Sequence, residues 1–321
     1  MPVNIRAGRR KKDTMVENIP FINAQQVRAL VSARQAREFI EGALRVFDPA
    51  TDPQRSQVPA GQGHFLLMPS CLGDYAGAKI VGVARDNAKR GLATIQGVYC
   101  LFDAATLTPQ LLIDGAVLTE IRTPATSAVA IDHLAAPDAR HAIIVGAGPQ
   151  ALGHARALAE VRDLERIQFT SRTASSADDA AALLQAEGLP ASAGEVDFAA
   201  ADVIVCATSA SEPVVPAEQV RPGTCVVAVG SHEPDRRELP AALLRGSVVV
   251  VEDRATAVRE AGDVVMAIAE GAVTEAELHP MAELVAGRVQ RDPERVNVFK
   301  GTGMSWQDLA VAAGIAQLYR Q

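Results

Sequence analysis

The hexapeptide Gly146-Ala147-Gly148-Pro149-Gln150-Ala151 is the stretch whose residue types and spacing speak most directly of chemistry. Two glycines permit a sharp turn and a close approach of the backbone to a pyrophosphate. The N–H groups of a following helix would face the anion, and Ala151 takes the third small position, where helix and strand pack closely. The flanks supply what such a turn requires: the apolar run Ala142-Ile143-Ile144-Val145 reads as a strand, the alanine-rich stretch to about Glu160 as a helix, and Ile167 to Thr170 as a second strand. This βαβ unit predicts a nicotinamide or flavin nucleotide site. Its second strand ends in Ser171-Arg172-Thr173, where an NAD site usually places Asp or Glu, about 20 residues past the glycines. A guanidinium cannot accept from the ribose hydroxyls but can clamp a 2′-phosphate, so the expected cofactor is NADP(H) in preference to NAD(H). The alternative for Arg172 is a solvated surface cation.

The elements around this unit follow from periodicity. Apolar residues recur at helical spacing from Phe21 to Phe47, predicting helices near Asn23 to Val31 and Ser32 to Val46, with Asn23 and Ser32 as N-caps. Asp48 to Gly63, rich in Pro, Asp, Gln and Gly, reads as a loop that contains Arg55. Strands are predicted over Gly63 to Met68, Tyr75 to Ala84, Thr94 to Phe102 and Gln110 to Ile113, joined by turn chemistry, which suggests an antiparallel meander. A helix from Leu118 to Leu134 leaves it. Beyond Thr173, short apolar strands (Val203 to Ala207, Cys225 to Val229, Val248 to Val251, Val296 to Phe299) alternate with helices near Ser175 to Ala186 and Asp263 to Glu270, predicting a parallel sheet covered on both faces. Ser305 to Tyr319 closes the chain as a helix, with Ser305 as N-cap and Asp308 in its first turn.

Composition narrows the class. A net charge of −7 lacks the basic footprint of a nucleic-acid binder. No apolar run is long enough for a membrane span, and no signal-peptide core follows the N-terminal charges. Cys71, Cys100, Cys206 and Cys225 are dispersed without metal-ligand spacing, as expected of buried small hydrophobes in a reducing cytoplasm, with no metal site. Arg9-Arg10-Lys11-Lys12 is expected to belong to a disordered leader, with an anchor for an anionic partner as the alternative.

Several separated stretches together resemble the ornithine cyclodeaminase/μ-crystallin family. They are Met68-Pro69 followed by Lys79, Ile121-Arg122-Thr123-Pro124-Ala125-Thr126-Ser127-Ala128, the glycine hexapeptide, Ala207-Thr208-Ser209, Ala228-Val229-Gly230-Ser231-His232-Glu233-Pro234-Asp235 through Glu238-Leu239, and Gly301-Thr302-Gly303 with Asp308-Leu309. The resemblance implies an α/β fold: a Rossmann-type doubly wound parallel sheet domain inserted into a smaller α+β dimerisation and substrate domain. The boundaries expected are residues 1–18 as leader, 19–125 with 304–321 as the substrate-binding and dimerisation domain, and 126–303 as the NAD(P)-binding domain. A homodimer through the meander sheet is expected.

The resemblance also implies a substrate pocket lined by Lys79, Arg122 and Arg55. Guanidinium grips a carboxylate in two-point geometry, which suits a small imino or keto acid whose reactive carbon must face the nicotinamide. An unpaired ammonium would be costly in the apolar strand around Lys79, so it needs a charged partner or a function. The alternatives are a structural ion pair for Lys79, a surface charge for Arg122 and a solvated loop arginine for Arg55. Thr123, Thr126 and Ser127 read as hydroxyl donors to the cofactor phosphates. Ala207, Thr208, Ser209, Val229, Gly230, Ser231 and Gly303 are further expected cofactor contacts.

Two departures bear on the reaction. Cyclodeaminases of the family carry an aspartate where this chain has His232 and a glutamate where it has Leu66. Without those carboxylates the expected reaction is NADPH-dependent reduction of a small imino acid, a cyclic ketimine such as Δ1-pyrroline-2-carboxylate or Δ1-piperideine-2-carboxylate. Lys79 or His232 would relay the proton; an imidazole titrates at about 6.5 in water. His232 could equally bond the cofactor ribose or be solvated. Alternatives are an alanine or iminosuccinate dehydrogenase, a cyclodeaminase-type lyase, and a μ-crystallin-like protein that binds NADPH without turnover.

Overall fold

The computed structural model describes residues 18–320, so the basic run at 9–12 and most of the expected leader lie outside the described residues. Two sheets dominate. The first is six-stranded, in the order β1 (Phe21–Ile22), β6 (Pro109–Asp114), β5 (Ile95–Asp103), β4 (Tyr75–Val83), β3 (Gly63–Leu72), β2 (Ser56–Ala60). It is antiparallel except for the β1–β6 pair. Along β3 and β4 the pleat sends Met68, Ser70, Lys79 and Val81 into the core and turns Phe65 and Ile80 outward.

The second sheet has eight parallel strands, in the order β13 (Leu278–Pro280), β12 (Val248–Val251), β14 (Asn297–Lys300), β11 (Cys225–Ala228), β10 (Val203–Cys206), β7 (His141–Val145), β8 (Arg166–Thr170), β9 (Ala191–Ala193). Strands such as Val248–Val251 are apolar at every position because both faces are covered, unlike the alternating strands of the first sheet. The strand order reverses between β7 and β10, and at such a switch point the carboxyl ends of parallel strands leave a crevice.

Ten helices complete the described residues: α1 (Ala24–Leu30), α2 (Ala33–Leu44), α3 (Gly115–Leu134), α4 (Pro149–Ala159), α5 (Ala174–Ala186), α6 (Ala241–Leu244), α7 (Arg254–Glu260), α8 (Gly262–Ala269), α9 (Met281–Val285) and α10 (Ser305–Tyr319). Asn23 and Ser32 cap α1 and α2 as expected, each in a reciprocal pair with the glutamine three residues on. Buried over most of its length, α10 packs on β3, β4, β5, α2 and α3, returning the end of the chain to the first sheet.

Some expectations need correction. The stretch 48–63 is not all loop: Pro49–Thr51 forms a single 3-10 turn and β2 pairs with β3 as an edge strand, a position that tolerates Pro59. The short strands β1, β9 and β13 escaped sequence reading because two or three residues show no period. Ser305 is the first helical residue of α10 and Met304 its N-cap. Of the cysteines, Cys206 and Cys225 are buried, but Cys71 is exposed and Cys100 half-buried.

Candidate active site

The first turn of α10 brings Asp308 down onto the inner face of the first sheet. Its carboxylate, fully buried, lies 2.9 and 2.7 Å from the Lys79 ammonium and accepts from Arg122 Nε at 3.2 Å. Lys79 also donates to Thr119 Oγ1 at 3.0 Å. The helix N-terminus favours a carboxylate there, and the carboxylate in turn lets two buried cations share one place. Burial pulls the Lys79 pKa down, Asp308 opposes that and Arg122 adds to it, leaving the group at about 8. Lys79 is therefore one half of a buried ion pair and a member of a cationic cluster at once.

Arg122, in the second turn of α3, is 5 % exposed. Its Nη1 donates to Gln307 Oε1 at 2.8 Å, while Nη2 makes no hydrogen bond among the described residues. The turn Gly301-Thr302-Gly303 lies against this guanidinium. Gly303 has φ +83°, and a Cβ there would stand 2.7 Å from both terminal nitrogens, so only glycine permits the approach. Arg55 holds the same turn, donating to the carbonyls of Thr302 (3.3 Å) and Gly303 (3.2 Å) and pairing with Glu260 of α7. It is a fixed cleft arginine with most of its donors in use, and its charge reaches Lys79.

The glycine turn stands next to this cluster. Gly146 has φ +122°, and a Cβ on it would meet the Ala207 carbonyl oxygen at 2.5 Å, so β7 and β10 close together only with glycine there. At Gly148 a Cβ would meet nothing within 4 Å. No side chain caps α4, Pro149 is its first residue, Ala147 is half-buried and Ala151 is fully buried. An open backbone face at a bare helix N-terminus fits a pyrophosphate. Gln150 Nε2 donates to the Thr119 carbonyl at 3.3 Å, so the turn touches the residue that bonds Lys79.

The other expected contacts divide. Arg172 is exposed at the end of β8 with no partner among the described residues, and Ser171 Oγ donates to the Thr173 carbonyl at 2.6 Å. Glu238 ties Thr208 to Gly230: it accepts from the Thr208 N–H (2.8 Å) and hydroxyl (2.7 Å) and from the Gly230 N–H (2.7 Å). The Glu238 N–H donates to Asp263 at 2.7 Å, and Asp263 pairs with the buried Lys300 at 2.9 Å. Ser209 is exposed and Val229 half-buried; Ser231 is buried, its hydroxyl donating to the Arg236 carbonyl. His232 is exposed on the same loop, and partial desolvation, followed by the charge of Arg55, holds its pKa below the ordinary imidazole value.

Two of the expected phosphate donors are sealed in the core. Thr126 donates to the Arg122 carbonyl at 2.9 Å, and Ser127 bonds His154 Nε2 at 2.9 Å. Ser127 lies with Pro124, whose ring approaches Gly153, on the side of α3 that meets α4, and Thr126 is spent within its own helix, which leaves Thr123, half-buried, as the most accessible of the three hydroxyls. Leu66 lies opposite Val81 in the β3–β4 pair. The parts that sequence reading missed are the Asp308 pairing and the buried pair Gln307–Glu252. Asp308 stands 229 and 186 residues from its two cations, a separation that no local spacing encodes. Among the described residues no group of three or more His, Cys, Asp or Glu could hold a metal ion.

Comparison with known proteins adds identity to this geometry. The chain is 35% identical over 306 residues to a Δ1-pyrroline-2-carboxylate reductase of Bacillus cereus, covering 91% of this chain and 94% of the relative. It is 32% identical over 302 residues to the ketimine reductase mu-crystallin of Mus musculus, covering 91% and 95%. Among solved structures, the Δ1-pyrroline-2-carboxylate reductase of Thermococcus litoralis in complex with NADH and L-proline superposes with a TM-score of 0.88 at 28% identity, covering 94% of this chain and 98% of that one. These relatives are named as reductases of imino acids, oxidoreductases acting on C=N bonds. Residues 18–320 match the model of the ornithine cyclodeaminase/mu-crystallin family, and the chain belongs to that family.

Proposed function

We propose that this chain reduces a small cyclic imino acid, Δ1-pyrroline-2-carboxylate or Δ1-piperideine-2-carboxylate, to the amino acid with NADPH. The observation that carries the reading is the shared Asp308 carboxylate, which assembles Lys79 and Arg122 beside Gln150 of the glycine turn. Gly146, Gly148 and the N-terminus of α4 would hold the cofactor pyrophosphate, and Arg172 the 2′-phosphate. When bound there, a reduced nicotinamide supplies hydride to the carbon of the C=N bond.

The chain's own residues do the rest. The unbonded Nη2 of Arg122 takes the carboxylate, with Arg55 keeping the Gly301–Gly303 turn in place against the guanidinium. Lys79, at about 8, is protonated at neutral pH and can hold a proton at the imine nitrogen. His232 sits on an exposed loop and is the second candidate for proton relay. The unit of residues 19–125 and 304–321 would carry the acid and 126–303 the nucleotide. Homodimerisation is proposed through the outer face of the first sheet, where Val58, Phe65 and Ile80 are exposed. Light scattering on Ile80→Glu should show a monomer; a dimer of unchanged stability would refute that face.

The deciding experiment is a panel of cyclic and linear imino acids with NADPH and NADH in parallel, followed at the reduced nicotinamide absorbance. Turnover of a cyclic imine, faster with NADPH, is expected. Since the Thermococcus litoralis relative was solved with NADH, equal or better use of NADH would remove the role assigned to Arg172. Release of ammonia from ornithine without added NADPH would overturn the reaction class.

A further inference from the structure

We infer that Glu252 and Gln307 are positioning residues for the substrate carboxylate, acting through Arg122, an inference that rests on the imino acid reading above. Gln307 is fully buried in the first turn of α10. Its Nε2 donates to Glu252 Oε1 at 2.6 Å, while its Oε1 accepts from Arg122 Nη1 at 2.8 Å and from the Met304 N–H at 3.2 Å. The amide has one workable orientation: a flip would set its NH2 against the guanidinium and its oxygen against a carboxylate.

Glu252 follows β12 directly, on the second sheet. Its other oxygen accepts from the Thr302 and Gly303 N–H groups, both at 2.8 Å, and from the Thr302 hydroxyl at 3.2 Å. One carboxylate thus fixes both the amide that directs Arg122 and the turn on which the guanidinium lies. Glu252 is only 4 % exposed, and its partners are all neutral, with no ion pair to it among the described residues. A buried charge served by neutral donors is costly for a purely structural prop. Its use here is orientation: with Nε on Asp308 and Nη1 on Gln307, the guanidinium cannot rotate, and Nη2, its free nitrogen, keeps one direction for a charge-assisted bond to a carboxylate.

The test is steady-state kinetics of the full chain together with calorimetric binding of L-proline, on Gln307→Met, Glu252→Gln, Gln307→Glu and the exchanged double variant Glu252→Gln/Gln307→Glu, with Tm recorded for each. For Gln307→Met and for Glu252→Gln the KM for the cyclic imino acid should rise about tenfold and L-proline affinity fall by about the same factor, with kcat and the cofactor KM within about twofold. Gln307→Glu alone opposes two carboxylates and should bind L-proline worst. The exchanged pair restores one donor and one acceptor between the two positions and should recover much of that loss. Folded variants with wild-type imino acid KM and L-proline affinity would sink the inference, as would a loss falling equally on the cofactor KM. Failure of the wild-type protein to reduce any imino acid or bind L-proline would instead bring down the functional reading itself.

Discussion

The cationic cluster and the glycine turn lie side by side, joined through Thr119, yet they are built on opposite principles. The turn works with backbone: bare N–H groups at the start of α4, space at Gly148, and no charged side chain buried for the purpose. The cluster works with side chains that are costly to bury, and each is matched before a substrate arrives, Lys79 and Arg122 by Asp308 and Arg55 by Glu260. A pyrophosphate can be met by dipoles that are present in any helix, whereas a small carboxylate near a reacting carbon needs a guanidinium held in one direction. The first solution depends on local backbone, a glycine turn and the start of a helix, and the second on partners gathered from distant parts of the chain.

The difference can be broken at either end, and the largest effect is expected at the cluster. Asp308→Asn leaves Lys79 and Arg122 adjacent without their counter-charge. Chemical denaturation should show a loss of about 3–5 kcal/mol, and turnover should fall about a hundredfold or more. Gly146→Ala strains a φ of +122° and drives a methyl toward the Ala207 carbonyl, at a cost of about 1–3 kcal/mol. Here the cofactor KM should rise while L-proline binding without cofactor is retained, which is the reverse of the Glu252 and Gln307 variants. Arg172→Ala should raise the NADPH KM about tenfold and leave the NADH KM nearly unchanged, as loss of a charge-assisted contact to one phosphate predicts.

The mildest probe is pH. With Lys79 at about 8, the proton-donating form prevails below that value, so kcat/KM for reduction should be level through neutrality and fall as pH rises past about 8. Oxidation of the amino acid needs the neutral amine and should rise over the same interval. Lys79→Arg keeps the ion pair but does not deprotonate, so a descent unchanged in that variant would assign the titration to another group.

The glycine turn was legible because each requirement is local: strand, two glycines, helix and second strand follow one another within about 30 residues. The same holds for the caps at Asn23 and Ser32, whose partners are three residues away. Lys79, Arg122 and Arg55 could be named from the resemblance, but their state could not. Thr126 and Ser127, beside Arg122 in sequence, were expected at the phosphates and are spent in the core, Ser127 on a His154 whose pKa burial pulls down to about 4. On a helix, adjacent residues face different neighbours, and only the packing of α3 against α4 decides which hydroxyl meets solvent.

Sheet types and the glycine turn were determined by the sequence itself, since apolar periodicity and glycine placement act over a few residues, and the family was legible in its separated motifs. Tertiary structure alone decided that Asp308 would pair both Lys79 and Arg122, and that Glu252, from the parallel sheet, would reach Gln307 on a helix packed against the antiparallel one. The physical reason is that a buried charge must be answered where the chain folds back on it, and the element that answers it has no fixed distance along the sequence.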